Sequence, residues 1–302
     1  MNILNICQRD YAGVGIALTR AVQQYAKKHK ARHLCMQMHR FRYDTDIVTR
    51  NPAEIHKWVR WADVVNTHVR FRPIRQGQNP PKPKSLLITY HGTHYRAKHE
   101  MMHLRARKLG AKKSLCTTID LTKFGVAEWL PTAIPVDRYA EMRRKHGGKP
   151  VVCQAPSNPK RKNSAEIREL LGNREDIQLL IVHHRPHNQI LRRIAAADVF
   201  IDRFRLGLGV SGLEALAMGI PVIADASPQD EKLIIKEVGY LPYYKASLQG
   251  LVEAVETLLS DKALYKEYVE RGNEYIRDFH DYPIVAKRYM EIIERMRGRP
   301  SG

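Results

Sequence analysis

Residues 205–224, RLGLGVSGLEALAMGIPVIA, restrict the fold more than any other stretch of the chain. The apolar run 197–202 (ADVFID) just before them reads as a buried strand. Gly207, Gly209, Ser211 and Gly212 then lead into a helical run at 213–218; Gly219 stops it, and 221–224 (PVIA) begins another strand. Strand, glycine loop, helix, strand is one βαβ unit, which predicts an α/β fold with a parallel sheet. A helix start of this kind offers free N–H groups and a positive dipole end to a phosphate. Glu214 is expected in the first turn of that helix, where its carboxylate can reach sugar hydroxyls beside the phosphate. A plain core crossover with Glu214 facing solvent has the same spacing, so the glycines alone fix the fold and leave the function open.

The chain has 302 residues, enough for two domains of ordinary size. Its mean hydropathy of -0.45 suits a globular protein in water. No run approaches the roughly 20 apolar residues of a membrane span. Residues 1–6 read as a first strand rather than a signal peptide, so a cytoplasmic location is expected, the host cytoplasm if the protein is viral. Cys7, Cys35, Cys116 and Cys153 are far apart in apolar runs. They read as buried thiols in a reducing compartment, not as a disulfide frame or a zinc site.

Charge is the abnormal property: 51 Lys+Arg against 31 Asp+Glu, net +20. Residues 1–140 hold 25 of those cations against 9 acids, and the remainder 26 against 22. A field concentrated in the first half draws in a polyanion: nucleic acid, an anionic membrane or a phosphate-rich polymer.

A second strand–glycine loop–helix opens the chain: a strand at 2–7, Gly13 and Gly15, and a helix at 16–27. No acidic residue ends the next strand, at 33–38, so this is no dinucleotide site; the small residues suit a loop that a ligand approaches closely. Strands follow at 63–66 and 85–90, separated by a basic, proline-rich loop at 70–84 that carries Arg70, Arg72 and Arg75. His91-Gly92 comes at the C-terminal end of the later strand, where α/β sites collect. Residues 99–103 (HEMMH) match the zinc-protease helix in form. No third histidine follows at the required spacing, and Arg105, Arg107 and Lys108 would set cations beside a dication. A basic amphipathic helix is the better reading. Strands at 115–119 and 127–130, a proline-punctuated crossing at 131–137 and a linker at 143–149 complete the first half. The second half alternates strands at 150–155 and 177–182 with cationic loops at 156–164 and 183–188, and it ends in helices at 248–259, 261–278 and 284–296. The expected domains are 1–143, 149–279, and a returning helix with a basic tail at 280–302.

The wording of 207–223, G-x-G-x-x-G-x-E-A-x-A-x-G-x-P-V-I, resembles the donor-site segment of GT-B glycosyltransferases, glycosyltransferase family 4 above all. The N-terminal glycine loop, the strand-end His-Gly, the P-S-N-x-x-x-K loop at 156–162 and a last helix after Tyr282-Pro283 fall in the same order as in that family. The resemblance implies a GT-B architecture: two Rossmann-like domains with parallel sheets facing across a cleft, and a C-terminal helix crossing back to the first domain. A nucleotide-sugar, a UDP-sugar foremost, would sit mainly on the second domain, with no other cofactor and no metal. Glu214 matches the second carboxylate of the family's E-x7-E signature, which contacts the donor ribose. The first falls on Leu206, a departure that leaves Asp202 or Arg205 to meet the transferred sugar. Lys162 matches the lysine on the donor diphosphate, with Arg161 or Lys160 in place of the upstream arginine and Ser157 and Asn158 in the same loop. The amides of Val210, Ser211 and Gly212 would complete the diphosphate site. His91 matches the histidine near the transferred sugar, His184 and Arg185 match the loop framing the base, and Gly13 and Gly15 line the donor from the first domain. His91, Asp202 and Lys162 are thus the catalytic candidates. Breaking a sugar–phosphate bond builds negative charge on the diphosphate, which fixed cations and helix-start N–H groups stabilise without a metal. The family mostly retains anomeric configuration and needs no dedicated base; for inversion, Asp10 is the nearest suspect.

In this architecture the first domain binds the acceptor, and here it carries the charge. DNA bearing a hydroxymethylated base, as in phage glucosyltransferases, is the favoured acceptor, with Arg70, Arg72, Arg75, Arg96, Arg105 and Arg107 against its phosphates. Residues 297–300 (RGRP) match the core of a minor-groove hook, and the target base would have to be flipped out. The alternative acceptor is an anionic lipid or cell-surface polymer, met by a helix carrying Met101, Met102 and Leu104 beside Arg105, Arg107 and Lys108. A third reading, motivated by Leu206, is a non-catalytic nucleic-acid-binding protein on the same scaffold.

Overall fold

The computed structural model describes residues 1–69, 73–75, 77–144 and 147–298. The chain forms two compact units, Met1–Ala133 with His280–Gly302, and Ile134–Phe279.

The first unit is built on β1 (Asn2–Cys7), α1 (Val14–Tyr25), β2 (Lys30–Cys35), β3 (Ile47–Val48), α2 (Pro52–Trp61) and β4 (Val64–His68). It continues with β5 (Leu86–Tyr90), α3 (Gly92–Lys108), β6 (Lys113–Cys116) and β7 (Glu128–Trp129). The seven strands lie in the order β3-β2-β1-β4-β5-β6-β7, all parallel. The strand order turns at β1 and β4, which makes the C-terminal ends of those strands the natural ligand edge. β1 is apolar on both faces because helices cover both. On one side Ile3 packs with Leu18 and Val22 of α1; on the other Leu4 and Ile6 meet Ile55 and Val59 of α2. β2 begins three residues before the expected strand: exposed Lys30 and Arg32 alternate with buried Ala31, a half-buried pattern that a search for apolar runs passes over.

The second unit contains α4 (Val136–Ala140), β8 (Val151–Gln154), α5 (Ser164–Leu171), β9 (Gln178–Ile181), α6 (His187–Ile194) and β10 (Val199–Ile201). α7 (Val210–Ala217), β11 (Val222–Ala224), α8 (Pro228–Val238), β12 (Tyr244–Lys245), α9 (Leu251–Ser260) and α10 (Lys262–Tyr275) complete it. Its five parallel strands run β12-β11-β10-β8-β9, again with strand order turning beside the βαβ unit at 197–224. The passage between units falls at Ala133/Ile134 rather than at the expected 143, because Val136 and Tyr139 of α4 are buried in the second unit.

The last helix, α11 (Tyr282–Met296), belongs to the first unit. Asp281 caps it by accepting from the Tyr282 N–H, and Pro283 is preset for its first turn. Val285, Ala286, Tyr289 and Ile293 form its buried stripe, packed in one cluster with Leu18, Ala21 and Val22 of α1.

Candidate active site

In the second unit the site grows from the ends of β8 and β10. Beyond β8, Asn158 starts a tight 3-10 turn (Pro159–Lys162), its side chain accepting from the Arg161 N–H. Gln154 anchors that turn: its amide donates to the Lys162 carbonyl (2.7 Å) and accepts from Ser164 Oγ (2.6 Å). Lys162 is thereby turned inward and buried. Its Nζ donates to Asp202 Oδ1 (2.6 Å) and to Ser211 Oγ (3.0 Å).

Asp202 directly follows β10 and is 0% exposed. Its other oxygen accepts from the Gly209 N–H. Burial alone would raise its pKa, but Lys162, Arg203 and the Gly209 N–H outweigh that and hold it below the usual carboxylate value. Asp202 therefore does not face a sugar. It fixes Lys162 and the glycine loop, and its enclosure leaves neither oxygen exposed for the role left open at Leu206. Of the two candidates for that role, only Arg205 is exposed. Leu206 itself bridges to Ala226, while Arg203 donates to the carbonyls of Leu206 (3.1 Å), Gly207 (3.2 Å) and Leu208 and so shapes the loop from within.

Gly209 caps α7, so the helix begins at Val210. Glu214 consequently lies in the second turn, one turn further from the N-terminus than expected. It is 4% exposed, and its Oε1 lies 2.6 Å from His187 Nε2, at the start of α6. Burial pulls His187 down, but the Glu214 charge and hydrogen bond outweigh it and raise the imidazole above its ordinary pKa. His184 (φ +56°) and Arg185 are exposed on the loop before α6, and Ser157, Asn158 and Arg161 on the loop before α5.

Gly212 is required by close approach: a methyl group there would overlap the Asp202 carboxylate and come within 3.1 Å of Leu208 Cδ2. Gly212→Ala should destabilise the protein by about 1–3 kcal/mol and displace the start of α7. Urea unfolding checks the loss; a wild-type value would mean that the loop yields without cost.

In the first unit, Asp10 accepts from the N–H groups of Gly15 (3.1 Å) and Ile16 (2.9 Å). It is buried, and both of its oxygens are engaged by the first turn of α1, whose N-cap is Gly13. Gly13 and Gly15 are explained by packing as well as by a ligand: a methyl group on them would lie 2.8 Å from the Tyr43 ring and 2.6 Å from His33 Nε2. His91 precedes α3 and stacks on His68, with Nε2 3.0 Å from His68 Nδ1 and Nδ1 3.1 Å from Thr117 Oγ1. Burial lowers His91 to about 4, so it is a neutral hydrogen-bonding group at neutral pH.

Among the acceptor candidates, Arg75, Arg105 and Arg107 are exposed. Arg96 is not available: its Nε donates to Asp120 Oδ2 (2.6 Å) in a largely buried ion pair. Arg70, Arg72, Arg299 and Pro300 lie outside the described residues. In α3, His103 meets the Tyr95 hydroxyl at 2.5 Å and His99 stacks on Phe124 at 4.0 Å. Met102 is buried, leaving Leu104 as the exposed large apolar side chain of that helix.

Sequence reasoning missed three features. No spacing rule links His187 to Glu214, or Arg203 to the carbonyls it gathers. The third, residues 39–43 (HRFRY), alternates rings with cations and could have been noticed. Arg40 lies 5.1 Å over the Phe41 ring, Phe41 stands edge-on to Tyr43, and Arg40 and Arg42 are exposed.

Residues 147–275 match the family model described as "Glycosyl transferases group 1". Among solved structures, the chain is similar to an alpha-glucosyltransferase in complex with UDP and a 13-mer DNA containing a central A:G mismatch (11% identity, 97% of this chain and 99% of that one, TM-score 0.70). It is also similar to HepE of Anabaena in complex with UDP and glucose (13% identity, 98% and 100%, TM-score 0.71). A third is WaaG, a glycosyltransferase involved in lipopolysaccharide biosynthesis (15% identity, 96% and 99%, TM-score 0.58). No helix among the described residues is long and apolar enough to cross a membrane.

Proposed function

We propose that this chain, with its GT-B fold and a group 1 domain over residues 147–275, is a DNA-modifying glycosyltransferase that moves the sugar of a UDP-sugar to a hydroxymethylated base and releases UDP. The transfer retains configuration and uses no metal. Lys162, together with the N–H groups of Val210, Ser211 and Gly212, receives the charge developing on the departing UDP, and Glu214 holds the ribose. His91, uncharged, is a hydrogen-bonding partner for the transferred sugar. Arg205 takes the place left by Leu206, with His184 and Arg185 around the base of the nucleotide.

The observation that carries the acceptor is the charge of residues 1–140, 25 Lys+Arg against 9 Asp+Glu. Exposed Arg40 and Arg42 add cations able to meet phosphates, whereas Phe41 and Tyr43 are buried and offer no face for a base. The likeness to an alpha-glucosyltransferase bound to UDP and DNA points the same way. A lipid or lipopolysaccharide acceptor is the second reading, favoured by exposed Leu104 beside Arg105 and Arg107; burial of Met102 leaves that face little to insert.

Incubation with UDP- and GDP-sugars and hydroxymethylated DNA, followed by digestion and nucleoside mass spectrometry, should show the modified base gaining one sugar from the UDP donor. No mass gain on DNA together with transfer to lipid extracts would transfer the proposal to the second reading. Duplex binding should weaken steeply with salt, and Arg40→Ala with Arg42→Ala should lower the log–log salt slope by roughly 1–2. An unchanged slope removes residues 39–43 from the acceptor surface.

A further inference from the structure

Cys7 and Cys35 are 28 residues apart in the chain but end β1 and β2 as register partners. Their sulfurs lie 3.0 Å apart, with His33 Nε2 at 3.6 Å from Cys7 Sγ and 3.8 Å from Cys35 Sγ. Asp10 Oδ2 is 3.6 Å from the same nitrogen. None of the four residues is more than 4% exposed. A nitrogen–oxygen separation of 3.6 Å is too long for a hydrogen bond. The sulfur–nitrogen separations fit the spacing of two ligands on one tetrahedral metal ion. His33 Nδ1 has no hydrogen-bond partner, so the ring's polar contacts all lie on the side facing the two sulfurs and the carboxylate.

We propose that Cys7, Cys35 and His33, whose ligand atoms all lie within 4.8 Å of one another, form a binding site for one thiophilic divalent cation, zinc foremost, beneath the loop that joins β1 to α1. The donor set is two thiolates and one imidazole, which selects zinc over magnesium or calcium. Binding displaces both thiol protons to solvent, and the sulfurs open to about 3.7 Å, the edge of a tetrahedron with zinc–sulfur bonds near 2.3 Å. Two thiolates neutralise the dication, and Asp10, which accepts from Gly15 and Ile16 at the positive end of α1, stands beside the imidazole. The ion would tie the ends of β1 and β2 together beneath the Gly13–Gly15 turn, a structural role separate from sugar transfer.

The test uses the full chain purified under reducing conditions from zinc-supplemented cells. Elemental analysis should give about one zinc per chain. The chelated protein titrated with Co²⁺ should develop thiolate-to-cobalt charge transfer and the strong visible bands of tetrahedral cobalt. Cys7→Ser with Cys35→Ser should lose both signals and Cys116→Ser keep them. Should the double variant fail to fold, wild-type protein alkylated at its thiols before cobalt addition serves in its place. Two results would overturn the site. One is metal-free protein with four alkylatable thiols and no cobalt spectrum. The other is a Cys7–Cys35 linked peptide with an intact mass lower by two hydrogens, which would make the pair a disulfide.

Discussion

Replacing Lys162 by methionine is expected to lower sugar transfer by about a hundred- to a thousandfold, the loss that follows removal of one preorganised donor to a developing anion. The same change removes the partner of Asp202, which is 0% exposed. A buried carboxylate left without its cation costs about 3–5 kcal/mol, so the variant loses stability as well as turnover, and the two must be separated. Lys162→Met with Asp202→Asn does so. With no carboxylate left to bury, most of the stability returns, while transfer stays low because the departing UDP still lacks its ammonium. Urea unfolding and UDP release measured on the same preparations distinguish the outcomes; full turnover in the double variant would make Lys162 only a buttress for Asp202. The acid side gives a second check. The pKa of Asp202 is lowered in the folded chain, so its contribution is present above the unfolded value of about 3.9 and lost as pH falls through the folded one. The single Asp202→Asn variant should therefore lose least, relative to wild type, at the most acidic pH.

This ion pair marks the limit of what the sequence discloses. The βαβ unit at 197–224 was legible because its glycines and apolar runs are local, and the same holds for β1, β5 and the last helix. Lys162 was legible as a cation in a loop after a strand. Its partner was not: Asp202 has the residue type of a sugar contact, and only the geometry of β8 against β10 turns it toward the lysine. Glu214 was placed one turn too early because Val210 and Ser211 were assigned to the loop; their N–H groups belong to the helix as soon as Gly209 caps it. Cys7 and Cys35 were judged by separation along the chain, a measure that β pairing cancels. α2 escaped because it buries only Ile55 and Val59, too few apolar positions to stand out as a period. The local signals carried the fold, whereas the site depends on pairs 27 and 40 residues apart, which have no sequence signature.

Glu214→Gln should weaken UDP binding by about ten- to a hundredfold, the range expected when a buried charged acceptor becomes a neutral one. His187 makes the accompanying loss of stability depend on pH. The His187 pKa is raised in the folded protein. The stabilisation it gains from Glu214 is thus fully present below the unfolded value of about 6.5 and fades as pH rises through the folded one. Wild type should exceed Glu214→Gln in unfolding free energy most at about pH 6 and least at about pH 9. His187→Ala removes the same titration, so its cost should also be larger at pH 6 than at pH 9, with about 1–3 kcal/mol remaining at pH 9 because Glu214 is left buried without its imidazole. Urea unfolding of the three proteins at both pH values, with UDP titrations alongside, tests the pair and its role separately. A stability gap independent of pH would mean that the imidazole stays neutral beside Glu214. Unchanged UDP affinity in Glu214→Gln would remove Glu214 from the ribose and, with it, the assignment of residues 207–223 as the clamp on the donor.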